Sequence, residues 1–141
     1  MIKIIIPGEP CALQRHRTTI VAGRQKQYDP QAKKKMTTRN IMLSQRNASK
    51  WPYNGPDDDY GQRQGFALTI EYYCYRPPSM RDLSEQQLNL VIHIRKPDLD
   101  NLDKYIFDCG NQILWHDDSQ IYRCLSQKFW SKTPRTEIIL S

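Results

Sequence analysis

Near its start the chain has no apolar run longer than Ile4-Ile5-Ile6. That is too short for the core of a signal peptide or for a membrane-crossing helix. The expectation is a soluble, cytoplasmic protein with no membrane partner. Cys11, Cys74, Cys109 and Cys124 are scattered, with no Cys-x-x-Cys pair. This spacing argues against a zinc knuckle, and a disulfide framework is not suggested in a reducing compartment. Internal repeats and low-complexity tracts are also missing, and nothing calls for a small-molecule cofactor. With 38% hydrophobic residues, the 141-residue chain can bury one modest core. Residues 1–141 are therefore expected to form a single domain.

Charge is plentiful but uneven. The formal net charge is +6. Residues 1–50 carry eleven Lys/Arg against two acids, and residues 51–141 carry ten against thirteen. A basic first third followed by an acidic remainder is an electrostatic footprint for a polyanion partner.

Met1 to Ile6 alternates as a strand, ended by Pro7-Gly8-Glu9-Pro10. Residues 11–29 read as an extended loop or hairpin, with Gly23 as a turn. Arg15, Arg17, Arg24 and Lys26 lie in it, placed to displace counterions from phosphates. A solvated surface loop is the alternative for any one of them. Asp29-Pro30 predicts a helix start in the N-cap, N1 pattern, running to about Ser49. Ala32, Met36, Ile41, Met42 and Leu43 are its expected apolar side, and Lys33, Lys34, Lys35 and Arg39 its basic side. Residues 51–64 read as a loop in which Asp57-Asp58-Asp59 is a solvated turn. Phe66 to Tyr75 is the clearest strand. Residues 82–91 suit a short helix with Ser84 and Gln87 in capping-box spacing, while Leu88 to Ile94 alternates like a strand. Ile121 to Trp130 and Thr136 to Leu140 are the last strands. The order predicts an α+β (α/β two-layer) domain with a mixed β-sheet and packed helices.

Six carboxylates lie between Asp98 and Asp118. Pro97 disfavours helix at Lys96, and Asp98 is placed to cap a helix over Leu99 to Cys109. Leu99, Leu102, Ile106 and Cys109 form its apolar face, with Asp100, Lys104 and Asp108 away from it. Asp98 in the cap and Asp100 in the first turn can converge. Asp118, at the edge of the following strand, can approach them. Three carboxylates at one locus repel unless a cation lies between them, and hard oxygen donors point to Mg²⁺ or Mn²⁺. Acids at a helix start also complement its dipole, and Asp-Asp before a strand is ordinary turn chemistry.

The run Lys96-Pro97-Asp98-Leu99-Asp100-Asn101-Leu102, then Lys104, Asp108 and Asp117-Asp118-Ser119-Gln120, resembles the signature of the RusA family of Holliday-junction resolvases. Gly8-x-Pro10 followed by Arg15 and Arg17 resembles that family's opening more weakly. The resemblance implies a RusA-like fold and a homodimeric, Mg²⁺-dependent endodeoxyribonuclease of bacterial or prophage origin. Such an enzyme makes paired symmetric nicks in four-way DNA junctions, leaving 5′-phosphates, in recombination and repair. It implies Asp98, Asp100, Asp118 and Lys104 as catalytic residues. Asp117 joins the three acids in metal binding, and Asn101 and Asp108 support them. Arg15, Arg17, Arg24, Lys26, Lys33, Lys34 and Lys96 are the expected DNA contacts. The alternatives are a non-catalytic basic DNA-binding protein, or a related nuclease acting on forks or flaps.

Overall fold

A computed structural model describes residues 1–59 and 61–141. Tyr60, inside the loop expected over 51–64, lies outside the described residues. The elements in chain order are β1 (Ile2–Pro7), β2 (Arg17–Val21), β3 (Arg24–Tyr28), α1 (Ala32–Asn47) and β4 (Phe66–Tyr75). α2 (Glu85–Leu90), α3 (Leu99–Gly110), β5 (Ile121–Ser131) and β6 (Arg135–Leu140) follow.

Among the described residues the main sheet has four strands in the order β1-β6-β4-β5. β6 runs antiparallel to both β1 and β4, and β5 runs parallel to β4. The sheet is therefore mixed, as expected. A parallel pair needs a long crossover, and α2 and α3 lie on the one between β4 and β5. β2 and β3 pair only with each other, as a separate ribbon.

Strand periodicity sets the layers. Leu68, Ile70, Tyr72 and Cys74 of β4 alternate inward, and Ile4, Ile138 and Leu140 join them from β1 and β6. Met42 of α1 and Leu102, Tyr105, Ile106 and Cys109 of α3 pack onto this face. Trp115 is fully buried beside them. Its indole lies so close to Gly110 that an added Cβ there would sit 2.2 Å from a ring carbon. The last residue of α3 is therefore glycine for reasons of space. A smaller cluster of Cys74, Leu88 and Trp130 fixes α2 against the same face. On the opposite face Tyr73 stacks on Phe129 with centroids 5.1 Å apart, and the Arg135 guanidinium lies 3.7 Å from the Tyr73 centroid.

Several local expectations are corrected. α1 begins at Ala32 rather than Pro30, with Gln31 in the N-cap position. Asp29 instead closes a turn, its Oδ1 accepting from the Gln31 backbone N–H at 2.8 Å. The inner face of α1 is Thr38 and Met42, while Met36 is exposed. Thr38 bonds the Tyr105 hydroxyl (3.1 Å), so a polar contact replaces an apolar one. Arg39 does not face solvent for DNA; its Nη1 donates to the carbonyls of Asp108, Cys109 and Asn111. The last carbonyls of a helix lack partners, and this cation answers them. The Asp57–Asp59 turn is borne out, with Asp58 accepting from the Asn54 and Gly61 N–H groups. The Ser84–Gln87 capping box is formed, and Val91, just after α2, has extended dihedrals. The helix expected over residues 82–91 is borne out as Glu85–Leu90, whereas the strand expected over Leu88 to Ile94 is corrected: the capping box carries Leu88 to Leu90 into α2, and the described residues 91–94 form no strand.

His93 is buried and stacks on Trp130 at 3.7 Å. Burial, with Lys128 and Arg95 nearby, lowers its pKa from 6.5 to about 4. The unfolded chain therefore binds the extra proton more readily, and the stability this group contributes is lost as pH falls from 6.5 towards 4. Replacement by phenylalanine should keep the stack and flatten that part of the curve. Melting temperature against pH for both proteins checks this; parallel curves would show that His93 is not responsible.

Candidate nuclease site

Pro97 halts the preceding segment and α3 starts just after it, with Asp98 extended at the N-cap position. The expected capping bond is not made: the Asp98 side chain accepts no N–H from the first turn. Lys96 Nζ holds it instead, at 2.6 and 2.7 Å from its two oxygens. A charged donor two residues away outcompetes a backbone N–H for the same carboxylate. The loop carrying this pair is itself fixed. Lys128 Nζ of β5 donates to the carbonyls of Arg95 (2.6 Å) and Pro97 (2.8 Å).

Asp100 and Lys104 lie one turn apart on the exposed side of α3, joined at 3.3 Å. Asp103 turns the other way. It is half-buried against the sheet and accepts a hydrogen bond from the Tyr72 hydroxyl (2.8 Å). Burial raises its pKa, the bonds from Ser126 and Tyr72 oppose this, and the nearby Asp100 charge adds to the rise. Asp108 pairs with Lys35 at 2.6 Å, and Lys35 also holds Asp29 at 2.6 Å. Burial pulls the Lys35 pKa down, but its bonds to Asp108 and Asp29 outweigh that and leave it raised.

Asp118 opens a single 3-10 turn, Asp118–Gln120, that contacts α3. Asp117 caps this turn, accepting from the Ser119 N–H at 3.0 Å, and that bonding lowers its pKa. Gln120 anchors the turn to the body. Its Nε2 lies 3.0, 2.9 and 2.8 Å from the carbonyls of Gly61, Gln62 and Gln64. Its Oε1 accepts from the His116 N–H at 2.7 Å. Asn101 acts through its backbone, its carbonyl accepting the Leu13 N–H at 2.8 Å.

Asp98, Asp100 and Asp118 thus sit on adjoining elements and are exposed. Among the described residues, no three Asp, Glu, His or Cys side chains stand close enough together to hold a metal ion. The donor set nevertheless suits a hard divalent cation: its oxygens face solvent, and neither Asp98 nor Asp100 is engaged by a backbone N–H. At present two lysines neutralise them. Of the expected DNA contacts, Arg17, Arg24 and Lys26 are on the exposed ribbon, Arg15 is exposed just before it, Lys33 and Lys34 are on the outer side of α1, and Lys96 is at the acidic mouth.

Sequence reasoning missed Asp103, Lys128 and the anchoring role of Gln120. Asp103 is one of the six carboxylates between Asp98 and Asp118, but spacing does not tell that its carboxyl turns inward. The partners of Lys128 and Gln120 are backbone carbonyls from distant segments, which leave no mark in a side-chain pattern.

A family model described as Endodeoxyribonuclease RusA matches residues 7–141. An uncharacterized protein of Bacillus subtilis (strain 168), YqaN, is 26% identical over 145 residues, covering 99% of this chain and 94% of its own length. With nearly its whole length matched, the chain belongs to the RusA endodeoxyribonuclease family. The resemblance drawn from its acidic motif is borne out. No described helix is long and apolar enough to cross a membrane.

Gln120→Leu should remove the anchor while keeping the side-chain volume. Burial of unsatisfied carbonyls makes a loss of about 1–3 kcal/mol the expectation, by urea unfolding. A variant as stable as the parent would show that the turn is held by other contacts.

Proposed function

We propose that the chain is a divalent-metal-dependent endonuclease that resolves four-way DNA junctions by paired nicks. The observation that carries this reading is the exposed mouth of α3. There two carboxylates, Asp98 and Asp100, stand free of helix capping beside Lys104. Family membership supports the same chemistry. Asp98, Asp100 and Asp118 would hold Mg²⁺, or Mn²⁺ in its place, with Asp117 shaping the turn that presents Asp118. Bound there, the ion supplies Lewis acidity and a more acidic water.

The reaction is hydrolysis. A water oxygen bonds to phosphorus, the bond from phosphorus to the 3′-oxygen breaks, and that oxygen leaves with a proton as a 3′-hydroxyl. The 5′-phosphate stays on the other fragment. Lys104 lies one turn inside the mouth. Its ammonium, drawn from Asp100 when a cation replaces it, is set to neutralise charge on the phosphoryl oxygens. Arg15, Arg17, Arg24, Lys26, Lys33, Lys34 and Lys96 bind the backbone of the branched substrate by displacing counterions.

Asp100→Asn should abolish cleavage of a labelled junction while binding persists or tightens, because the pocket then repels phosphate less. Lys104→Ala should slow single-turnover cleavage by about 100- to 1,000-fold with little change in binding. Full activity in either variant removes that residue from the mechanism. A second reading, a DNA-binding protein without catalysis, is favoured by the lack of a ready three-ligand cluster among the described residues. Junction, fork, duplex and single strand, compared with and without Mg²⁺ or Mn²⁺, separate the two. Gel shifts without nicks under every condition would establish the second.

Paired nicks require two sites, and a two-fold dimer supplies them. The apolar surface at the end of α2 and just beyond it supports such a partner. Leu90, Ile92 and Ile94 are 83%, 82% and 87% exposed. Among the described residues the backbone N–H groups of Ile92, His93 and Ile94 make no hydrogen bond to the chain's backbone. A contiguous exposed apolar patch marks a surface for another protein. A two-fold axis beside Ile92 would bring the Leu90, Ile92 and Ile94 patches of two copies together. Leu88 to Ile94 holds no Lys, Arg, Asp or Glu, so two basic bodies can meet there without like-charge repulsion. Ile92→Glu should convert a dimer to a monomer in light scattering and prevent paired nicking. A wild-type monomer at micromolar concentration, or a dimer unaffected by the change, would remove this surface from the proposal.

A further inference from the structure

The ribbon of β2 and β3 is built unlike the rest of the molecule. Every residue from Gln14 to Tyr28 is exposed. Two strands alone are marginal in water, so a ribbon with no apolar support needs another reason to be ordered. Part of the reason is its turn. Val21 pairs with Arg24, leaving Ala22 and Gly23 as the two-residue loop, with φ of 51° and 75°. Positive φ at both positions gives the turn whose twist matches a hairpin.

The other part is its root. Leu13 donates to the Asn101 carbonyl, one residue from Asp100. Gln31 accepts the Gln14 N–H (2.8 Å) and donates to the Ala12 carbonyl (2.8 Å), tying the entry to the start of α1. On the exit side Asp29 is bound by Lys35, which also binds Asp108 of α3. The ribbon therefore springs from the acidic helix, held on both sides.

Register sorts its side chains. Residues paired across an antiparallel ladder share a face, and neighbours along a strand alternate. Arg17 pairs with Tyr28, Thr19 with Lys26, and Val21 with Arg24, so one face carries all three cations of the two strands. Thr18 pairs with Gln27 and Ile20 with Gln25, so the other face carries no charge. From Arg15 to Tyr28 there is no acid.

We infer that this ribbon is a one-sided clamp for DNA. The face of Arg17, Arg24 and Lys26 lies along the phosphates of a duplex arm entering the mouth of α3, and the face of Thr18, Gln25 and Gln27 points away. The inference rests on the nuclease reading for its substrate. Charge decides the occupant. A second copy of a chain with net charge +6 would be repelled by this face, whereas a phosphate backbone is drawn to it.

The test is binding of a fluorescent four-way junction in EDTA over a range of KCl, with cleavage assayed separately in Mg²⁺. For each of Arg17→Ser, Arg24→Ser and Lys26→Ser, the slope of log affinity against log salt should fall by about 0.9, with losses adding in the triple variant. The triple variant Thr18→Ser, Gln25→Ser, Gln27→Ser should keep the wild-type slope. All these side chains are exposed, so thermal unfolding should not move and serves as the folding control. An unchanged slope in the charged-face triple variant, equal losses from both faces, or a changed oligomeric state in place of a changed slope would overturn the clamp. If the wild type cuts but the slope does not respond, the clamp fails and the nuclease reading stands. If the slope responds but nothing is cut, the clamp stands and the nuclease reading fails.

Discussion

Carboxylates crowded along one short helix repel, and the structure around α3 is a set of answers to that repulsion. Asp98 is met by Lys96, Asp100 by Lys104, and Asp108 by Lys35. Asp103 alone is turned inward, where burial and the Tyr72 hydroxyl set its state. The answers differ in exposure, and exposure decides what each can do. Lys35 is largely shielded and holds two carboxylates at once, so it fastens the ribbon and α1 to α3. Lys96 and Lys104 are open to water, where an ion pair contributes little net energy and is readily exchanged. The shielded lysine is suited to fixing the scaffold, and the exposed ones to giving way to a stronger cation.

This division explains why Asp98, in the N-cap position, makes no side-chain capping bond. A carboxylate accepting a first-turn N–H would be oriented along the helix and engaged by a neutral donor. Held by a flexible ammonium instead, it stays at the surface beside the first turn. The helix start is secured by other means, with the Leu102 N–H bonding the Asp98 carbonyl at 3.2 Å and Leu102 buried beneath it. Lys128 supports the same loop from β5 through two carbonyls. The mouth is thus positioned by backbone contacts and apolar burial, which leaves its acidic side chains unencumbered.

Much of this was legible in the sequence where a single period governs. The alternation of Phe66 to Tyr75 gave β4 and its buried face, and the three-four spacing of Leu102, Ile106 and Cys109 gave the inner side of α3. Ser84 and Gln87 announced their capping box. α1 resisted the same treatment because its inward contacts are mixed. Thr38 meets a tyrosine hydroxyl and Lys35 meets two carboxylates, so hydrophobicity alone pointed to Met36, which lies outside. The site divides in the same way. Asp98, Asp100, Lys104 and Asp118 were visible as a motif, whereas the work of Gln120 and Lys128 depends on carbonyls that only folding brings near.

The acidic mouth and the basic ribbon differ in role, one suited to chemistry and one to affinity, yet they are not independent. Their common root on α3 joins them. A strand of high negative charge approaching Asp98 and Asp100 is repelled by them, and cations far from the mouth would draw it elsewhere. The Debye length is about 8 Å at physiological salt, so compensation must come from groups fixed close by. Asn101, next to Asp100, holds Leu13 in the segment leading into the ribbon, and Asp108 anchors the ribbon's exit through Lys35. Opposite charges are thereby built onto one helix, and the polyanion meets attraction and repulsion in a fixed geometry. Lys96 and Lys104 add positive charge at the mouth itself, so the ribbon extends a basic surface that begins beside the acids.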